Sequence, residues 1–353
     1  MNAQSRSPMA GRLLITLAAL VVLIAGMRAA APLLVPFLLA LFIAVIIASP
    51  LAWLQQRGLP MILAMLAVIS GLIVFLVLLA LLVGSSVDDF MRNLPLYQDR
   101  LRESSAGLMA WLDGHGVTLS REFVGKFFDP AKAMKMVTGI LTGMGGILTN
   151  GFLILITVIF LLMEGASLPG KWRAAFRRPE DSLGRLRAIM ADINHYMGIK
   201  TLTSLATGML VALWLLLLGV DYPLLWGALA FLFNFVPNIG SILAAIPAVL
   251  LALIQLGTGA ALLVVLGYVV INVVIGTFLE PRYMGRGLGL STLVVFLSLV
   301  FWGWVLGPVG MLLSVPLTIT AKIALASNEG TRWIAILLGP GVEPVAGEAQ
   351  GQD

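Results

Sequence analysis

Few residues in this chain are equipped for chemistry, and most of those sit inside apolar sequence. Cysteine is absent, and the only histidines, His115 and His195, lie far apart in polar connecting segments. Disulfide frameworks and cysteine-based redox chemistry are therefore excluded, and no metal-ligand cluster can be assembled. No hydrolase, kinase or nucleotide-binding pattern occurs, and no cofactor is implied. The glycines of Thr142-Gly143-Met144-Gly145-Gly146 lack the following lysine of a phosphate loop. What remains is one carboxylate, a few amides and a set of helix-breaking residues. Glu280 closes an apolar run in Leu279-Glu280-Pro281-Arg282, and Asn272 lies eight residues earlier, about two turns back and close to the same helix face. Asn234 and Asn238 flank Pro237, with Gly240 and Ser241 just beyond, while Pro308 and Gly310 interrupt a later run. A carboxylate at membrane depth is costly and reads by default as a proton or cation site. The bland alternative is a boundary carboxylate paired with Arg282 or Arg286. Amides beside a helix break would coordinate a cation, bind polar groups of a solute, or satisfy the carbonyls that the break sets free. Glu164 and Lys200, at span ends, read as interface anchors, and Lys322 as a snorkelling lysine. Trp302 and Trp304 fit either an interfacial belt or a cavity lining.

The elements that must position these residues are membrane helices. Of 353 residues, 60% are hydrophobic and 11% charged, with a mean hydropathy of +1.03. A soluble domain carries a charged fraction of about 25%. Apolar runs cover residues 13–27, 29–53, 61–84, 147–163, 202–220, 223–256, 260–279 and 291–325. None alternates strictly, so they are predicted to be helices rather than barrel strands. The first run follows Arg6 and Arg12 and precedes three alanines, as a secretory signal would; the immediate return of apolar sequence favours an uncleaved span. Runs 223–256 and 291–325 exceed the ~20 residues that a span needs, and each is broken by proline and glycine. Proline lacks an N–H and glycine tolerates any backbone angle. Broken segments at membrane depth are where transporters hold cargo.

This gives an all-α, polytopic protein with about eight membrane segments, two of them broken or re-entrant. The predicted divisions are N-terminal membrane helices (1–84), an amphipathic extramembrane helical segment (85–146), a span (147–163), a basic segment (164–200), a C-terminal membrane core (201–326) and a polar tail (327–353). Segment 85–146 balances seven basic and seven acidic residues and has Leu94, Leu101, Leu108 and Trp111 at helical spacing. Segment 164–200 carries seven basic residues against four acidic ones, which places it in the cytoplasm. The formal charge of +5 has this topological explanation and does not call for nucleic acid. Counting spans from there puts Asp221 outside. If run 223–256 folds as a hairpin opening outward, Arg282 and Arg286 become cytoplasmic, as the same charge rule asks. Residues 291–325 then read as a second hairpin entered from the cytoplasm.

The run Phe235-Val236-Pro237-Asn238-Ile239-Gly240, followed by Ala244-Ala245-Ile246-Pro247-Ala248, resembles the central signature of the autoinducer-2 exporter (AI-2E) family. Asn272-Val273-Val274-Ile275-Gly276, Leu279-Glu280-Pro281-Arg282-Tyr283-Met284-Gly285 and the stretch from Gly307 to Leu317 are similar to that family too, in the expected order. Asn238 and Ser241 depart from it, standing where an aromatic residue and a proline are frequent. The resemblance implies a multi-pass protein of the bacterial inner membrane, with homo-oligomers and secondary transport. Its cargo would be a small polar solute such as autoinducer-2, or sodium or lithium exchanged for protons. Pro237, Gly240, Pro308 and Gly310 are then expected to shape the pathway, Asn234, Asn238 and Asn272 to meet cargo, and Glu280 to take the coupling proton or cation. The rival from another class is a non-transporting membrane scaffold that recruits partners through its polar segments. An intramembrane enzyme has no nucleophile–base pair to support it.

Overall fold

The structure is a computed structural model that describes residues 7–114, 135, 137–139, 141, 150–175, 179–237, 239–284, 289–326 and 329–340. Among these residues every regular element is helical: α1 (Ser7–Ala29), α2 (Ala31–Gln56), α3 (Met61–Gly114), α4 (Gly151–Ala175), α5 (Pro179–Leu218), α6 (Pro223–Phe233), α7 (Ile239–Leu256), α8 (Thr258–Asn272), a π-helical turn (Val273–Leu279), α9 (Glu280–Met284), α10 (Thr292–Ala326) and α11 (Arg332–Leu337). Six stretches are long and apolar enough to cross a membrane: Ala31–Gln56, Met61–Arg100, Ile193–Leu218, Ile239–Leu256, Thr258–Tyr283 and Thr292–Ala326. Leu14–Ala29, Gly151–Gly165 and Pro223–Phe233 are shorter apolar helices. The chain is thus a multi-pass helical membrane protein. Lipid replaces water as the solvent, and residues such as Leu33, Ile62, Phe152 and Leu262 accordingly point their side chains outward.

Two of the polar segments share a helix with an adjoining span. α3 runs for 54 residues, so the division expected near residue 84 falls inside one continuous helix. Likewise α5 carries the chain from the basic segment straight into a span. His115 and the glycines of 142–146 lie outside the described residues.

The chain divides into two compact units, Pro36–Tyr283 and Met1–Val35 with Met284–Asp353. In the first, α5 and α6 cross at glycine. A methyl group on Gly208 would stand 2.7 Å from the Gly227 carbonyl oxygen, and one on Gly227 would stand 2.7 Å from the Ala212 methyl. Without a hydrophobic driving force between helices in lipid, such small-residue contacts let backbones approach and gain dispersion. α8 crosses α5 similarly, with Gly267 directly under the Trp214 indole, whose Nε1 donates to the Leu263 carbonyl at 3.1 Å. Trp226, Leu225 and Leu229 of α6 are fully buried. Phe90 of α3 meets the Trp226 ring edge-on at 5.9 Å.

α6 and α7 form a helical hairpin. α6 has 11 residues, about 16 Å, half the ~30 Å of hydrocarbon. The chain turns after Phe233 and returns along α7, and its ends meet where the Asp221 N–H donates to Gln255 Oε1 at 3.0 Å. In the second unit, α10 is itself bent back on Gly307, which has φ 70° and ψ −155°. Its arms are residues 292–306 and 308–326, and Trp302 Nε1 reaches across to Thr318 Oγ1 at 3.1 Å. The lysine read as a snorkelling residue, Lys322, instead bonds the carbonyl of Gly289 and ties the hairpin's open ends.

Candidate functional site

The first hairpin's tip carries three of the expected residues. α6 ends at Phe233, and Asn234 continues the right-handed path at φ −61°. The N–H groups of Phe235 and Val236 bond back to Leu232 and Phe233, tightening the last turn before Pro237 forbids its continuation. Gly240 opens α7 with its α-carbon pressed on the Phe233 carbonyl, so that any β-carbon there would clash with backbone. Phe235 is held edge-on between Phe42 of α2, at 5.8 Å, and Phe231 of α6, at 5.7 Å. Asn238 lies outside the described residues.

The Asn234 side chain is buried and donates from Nδ2 to Ser204 Oγ of α5 at 3.0 Å. Ser204 belongs to a polar stripe along α5. Tyr196, Lys200, Thr203, Ser204 and Thr207 are all buried and recur at spacings of three and four, which puts them on one helix face. Thr203 and Thr207 return their hydroxyls to the carbonyls of Lys200 and Thr203. Ser204 has only Asn234 to meet. On the adjoining flank, Asn194 Oδ1 and Thr201 Oγ1 are buried with no hydrogen-bond partner among the described residues.

One turn from Ser204, Lys200 closes on Glu280. Nζ donates to Oε1 at 2.7 Å and to Oε2 at 2.9 Å, with the two side chains 6% and 15% exposed. Sequence reading offered Arg282 or Arg286 as partners and placed Lys200 at an interface. Arg282 is exposed, Arg286 lies outside the described residues, and Lys200 is the partner found. Two ions taken out of water at this separation are held only because each is the other's counter-charge.

The segment bearing Glu280 is wound differently from an α-helix. Residues 273–279 form a π-turn, and the Glu280 N–H bonds the Ile275 carbonyl five residues back. Such widened turns are rare and occur frequently at functional sites. Asn272 and Glu280 are therefore not related by the 3.6-residue period that put them on one face. Asn272 is half-buried at the start of the turn, its Oδ1 alongside Gly276. Pro308 and Gly310 shape the second hairpin's turn: Gly310 packs against the Trp302 carbonyl as Gly240 does against Phe233.

Depth along α5 follows from its rise. Leu218 to Ser204 is about 21 Å and Leu218 to Lys200 about 27 Å, at 1.5 Å per residue. The buried polar stripe runs along α5 from Tyr196 to Thr207 and meets the break at Ser204. No group of three or more acidic or histidine side chains that could hold a metal exists among the described residues.

Comparison with known proteins agrees with this architecture. The sequence profile of the AI-2E family transporter matches residues 17–329. The chain is 43% identical over 327 residues to a protein named AI-2 transport protein TqsA from Escherichia coli K12, covering 93% of this chain and 95% of that one. It is 40% identical over 329 residues to a putative transport protein, YhhT, of the same strain, covering 93% and 94%. A putative transport protein of Haemophilus influenzae is 41% identical over 336 residues, covering 93% and 96%.

Proposed function

We propose, for a chain that belongs to the AI-2E transporter family, secondary transport of a small polar solute such as autoinducer-2 across the bacterial inner membrane. The observation that carries this reading is the buried polar stripe on α5, which joins the hairpin tip at Asn234 to the ion pair at Glu280. A membrane scaffold has no use for a charged pair and a hydroxyl ladder at this depth. In a bilayer a hairpin returns the chain to the face it entered, so the chain leaves α7 on the Asp221 side and α8 crosses. Arg282 then emerges on the cytoplasmic face, in accord with the positive-inside rule. A broken segment of this kind suits alternating access. Asn234, Asn238 and Asn272 would meet cargo, and Glu280 would carry the coupling ion. Homo-oligomers fit this reading.

A second reading, sodium or lithium exchange for protons, rests on Glu280 as a buried carboxylate and would require the Lys200 ammonium to leave it.

Both are tested by reconstitution into proteoliposomes with an imposed proton or sodium gradient and measurement of autoinducer-2 or alkali-cation flux. Glu280→Gln and Asn234→Ala, at equal protein levels, are expected to cut the flux at least tenfold. Normal flux in both variants would dismiss the site. Loss of function on deleting 85–146, with polar substitutions at the breaks harmless, would favour the scaffold.

A further inference from the structure

We propose that Lys200 is the resident cation of the Glu280 carboxylate, and that its docking there excludes sodium and lithium from the site. For its functional meaning this rests on the reading of Glu280 as an ion-pathway carboxylate.

The geometry assigns Lys200 this place. Its ammonium contacts both carboxylate oxygens, at 2.7 and 2.9 Å, and so fills the position that a bound monovalent cation would take. The buried oxygens without partners on α5, Asn194 Oδ1 and Thr201 Oγ1, are neutral, so among the described residues Glu280 is the charge that would draw a cation here. Tyr196, one turn before Lys200 on α5, is the buried phenol closest to the pair. His195 of α5 and Arg282 and Tyr283 of α9 are exposed. An alkali ion would therefore compete with a tethered ammonium for one carboxylate, and tethering gives the ammonium a high effective concentration.

The charge count makes the consequence sharp. With Lys200 docked, the site is neutral. A sodium or lithium ion entering beside it would leave an extra positive charge buried. Removing Lys200 leaves an unpaired buried carboxylate, which must take up a proton or an alkali ion or be destabilised. Lys200 is thus a selectivity-determining residue that does not itself touch cargo.

The test uses the full chain in lipid nanodiscs, with thermal unfolding followed by tryptophan fluorescence. Choline, sodium and lithium chloride are compared at about 0.2 M, near pH 9 and near pH 6, because a ligand that binds only the folded state raises its melting temperature. The wild type is expected to unfold at the same temperature in all three salts at either pH. Lys200→Met is expected to unfold earlier in choline near pH 9, and sodium or lithium should recover at least half of the loss. Near pH 6 protons compete with the alkali ions for the carboxylate, so the salts should differ less. Glu280→Gln and the Lys200→Met/Glu280→Gln double variant are expected to ignore the choice of salt at both values. Should Lys200→Met not fold, Lys200→Gln, which keeps a hydrogen-bond donor without the charge, serves instead.

Stabilisation of the wild type by sodium or lithium that vanishes in Glu280→Gln would overturn the proposal. So would a folded Lys200 variant that is blind to all three salts near pH 9. Solute flux is measured separately in proteoliposomes. Absence of flux with an intact salt response would sink the transport reading alone, and the reverse pattern would sink the role of Lys200 alone.

Discussion

The two hairpins bring two helical arms together by the same close approach but turn the chain by different means. In the first hairpin α6 stops at Phe233, Asn234 keeps a right-handed backbone, and the turn continues through Phe235, Val236 and Pro237. In residues 289–326 the bend is concentrated in Gly307, at φ 70° and ψ −155°, a region open almost only to glycine. Yet each turn ends with a glycine, Gly240 or Gly310, laid on a carbonyl of the arm it has just left, that of Phe233 or Trp302. The mouths differ too. The first is closed by a neutral bond from the Asp221 N–H to Gln255 and overlaid by α3, and the second by the Lys322 ammonium on the Gly289 carbonyl. The closing glycine is therefore the shared requirement, and the turn and the mouth are where each hairpin can vary.

If that is right, Gly240→Ala and Gly310→Ala should be the most damaging single changes, and equally so. A methyl group at either position meets backbone rather than a side chain able to swing away. Overpacking usually costs about 1–3 kcal/mol, and rigid backbone puts these two at or above the upper end. Thermal unfolding of each variant in nanodiscs measures this. A harmless alanine at one position with a severe effect at the other would break the equivalence of the two tips. The next effect separates them. Gly307→Ala meets open space, so its cost is only the strained backbone, about 1–3 kcal/mol. Pro237→Ala imposes no such strain on the first turn and should cost less. Lys322→Met removes a charged hydrogen bond at the second mouth and should cost about 1.5–3 kcal/mol.

How much of this could be read in the sequence depends on the range of the interaction. The breaks were legible because proline and glycine act locally: Pro237 and Gly240, and Gly307, Pro308 and Gly310, mark the two turns within a few residues. The length of 85–114 as helix was legible from the spacing of its leucines. What packs it down, Phe90, Asn93 and Tyr97 on Tyr222 and Asp221, was not, because those partners lie more than 120 residues apart. Glu280 stood out as a carboxylate in an apolar setting, yet its partner is 80 residues away. A signal for Lys200 did exist. Lys200, Thr203, Ser204 and Thr207 repeat at helical spacing beside an apolar run, a polar stripe that a membrane span has no reason to carry unless that face is buried in protein. The π-turn left no such trace, since nothing in Val273 to Leu279 distinguishes it from ordinary helix. The turn changes the phase between Asn272 and Glu280 from that of an unbroken α-helix.

The smallest effect bears on the mouths. Gln255→Ala removes the bond to the Asp221 N–H, a neutral interaction worth about 0.5–1.5 kcal/mol. The loss should fall at the low end, because two further bonds hold the same corner. Asn93 Nδ2 donates to the Tyr222 hydroxyl at 2.9 Å, and the Tyr97 hydroxyl donates to Asp221 Oδ2 at 3.3 Å. Tyr222 itself sits in the left-handed region at φ 57°, an uncommon place for a bulky residue, so this corner stores strain that the bonds must hold down. With one restraint gone the other two keep the corner closed, and with two gone the strain is free to relax. Because the relaxed corner caps the loss, Asn93→Ala and Gln255→Ala together should cost less than the sum of the single changes, by about 0.5 kcal/mol or more. A double-mutant cycle on thermal stability reads this coupling. Strict additivity would mean that α3 merely lies over the first mouth, and coupling would mean that it straps the hairpin shut, a restraint for which the second mouth has its lysine.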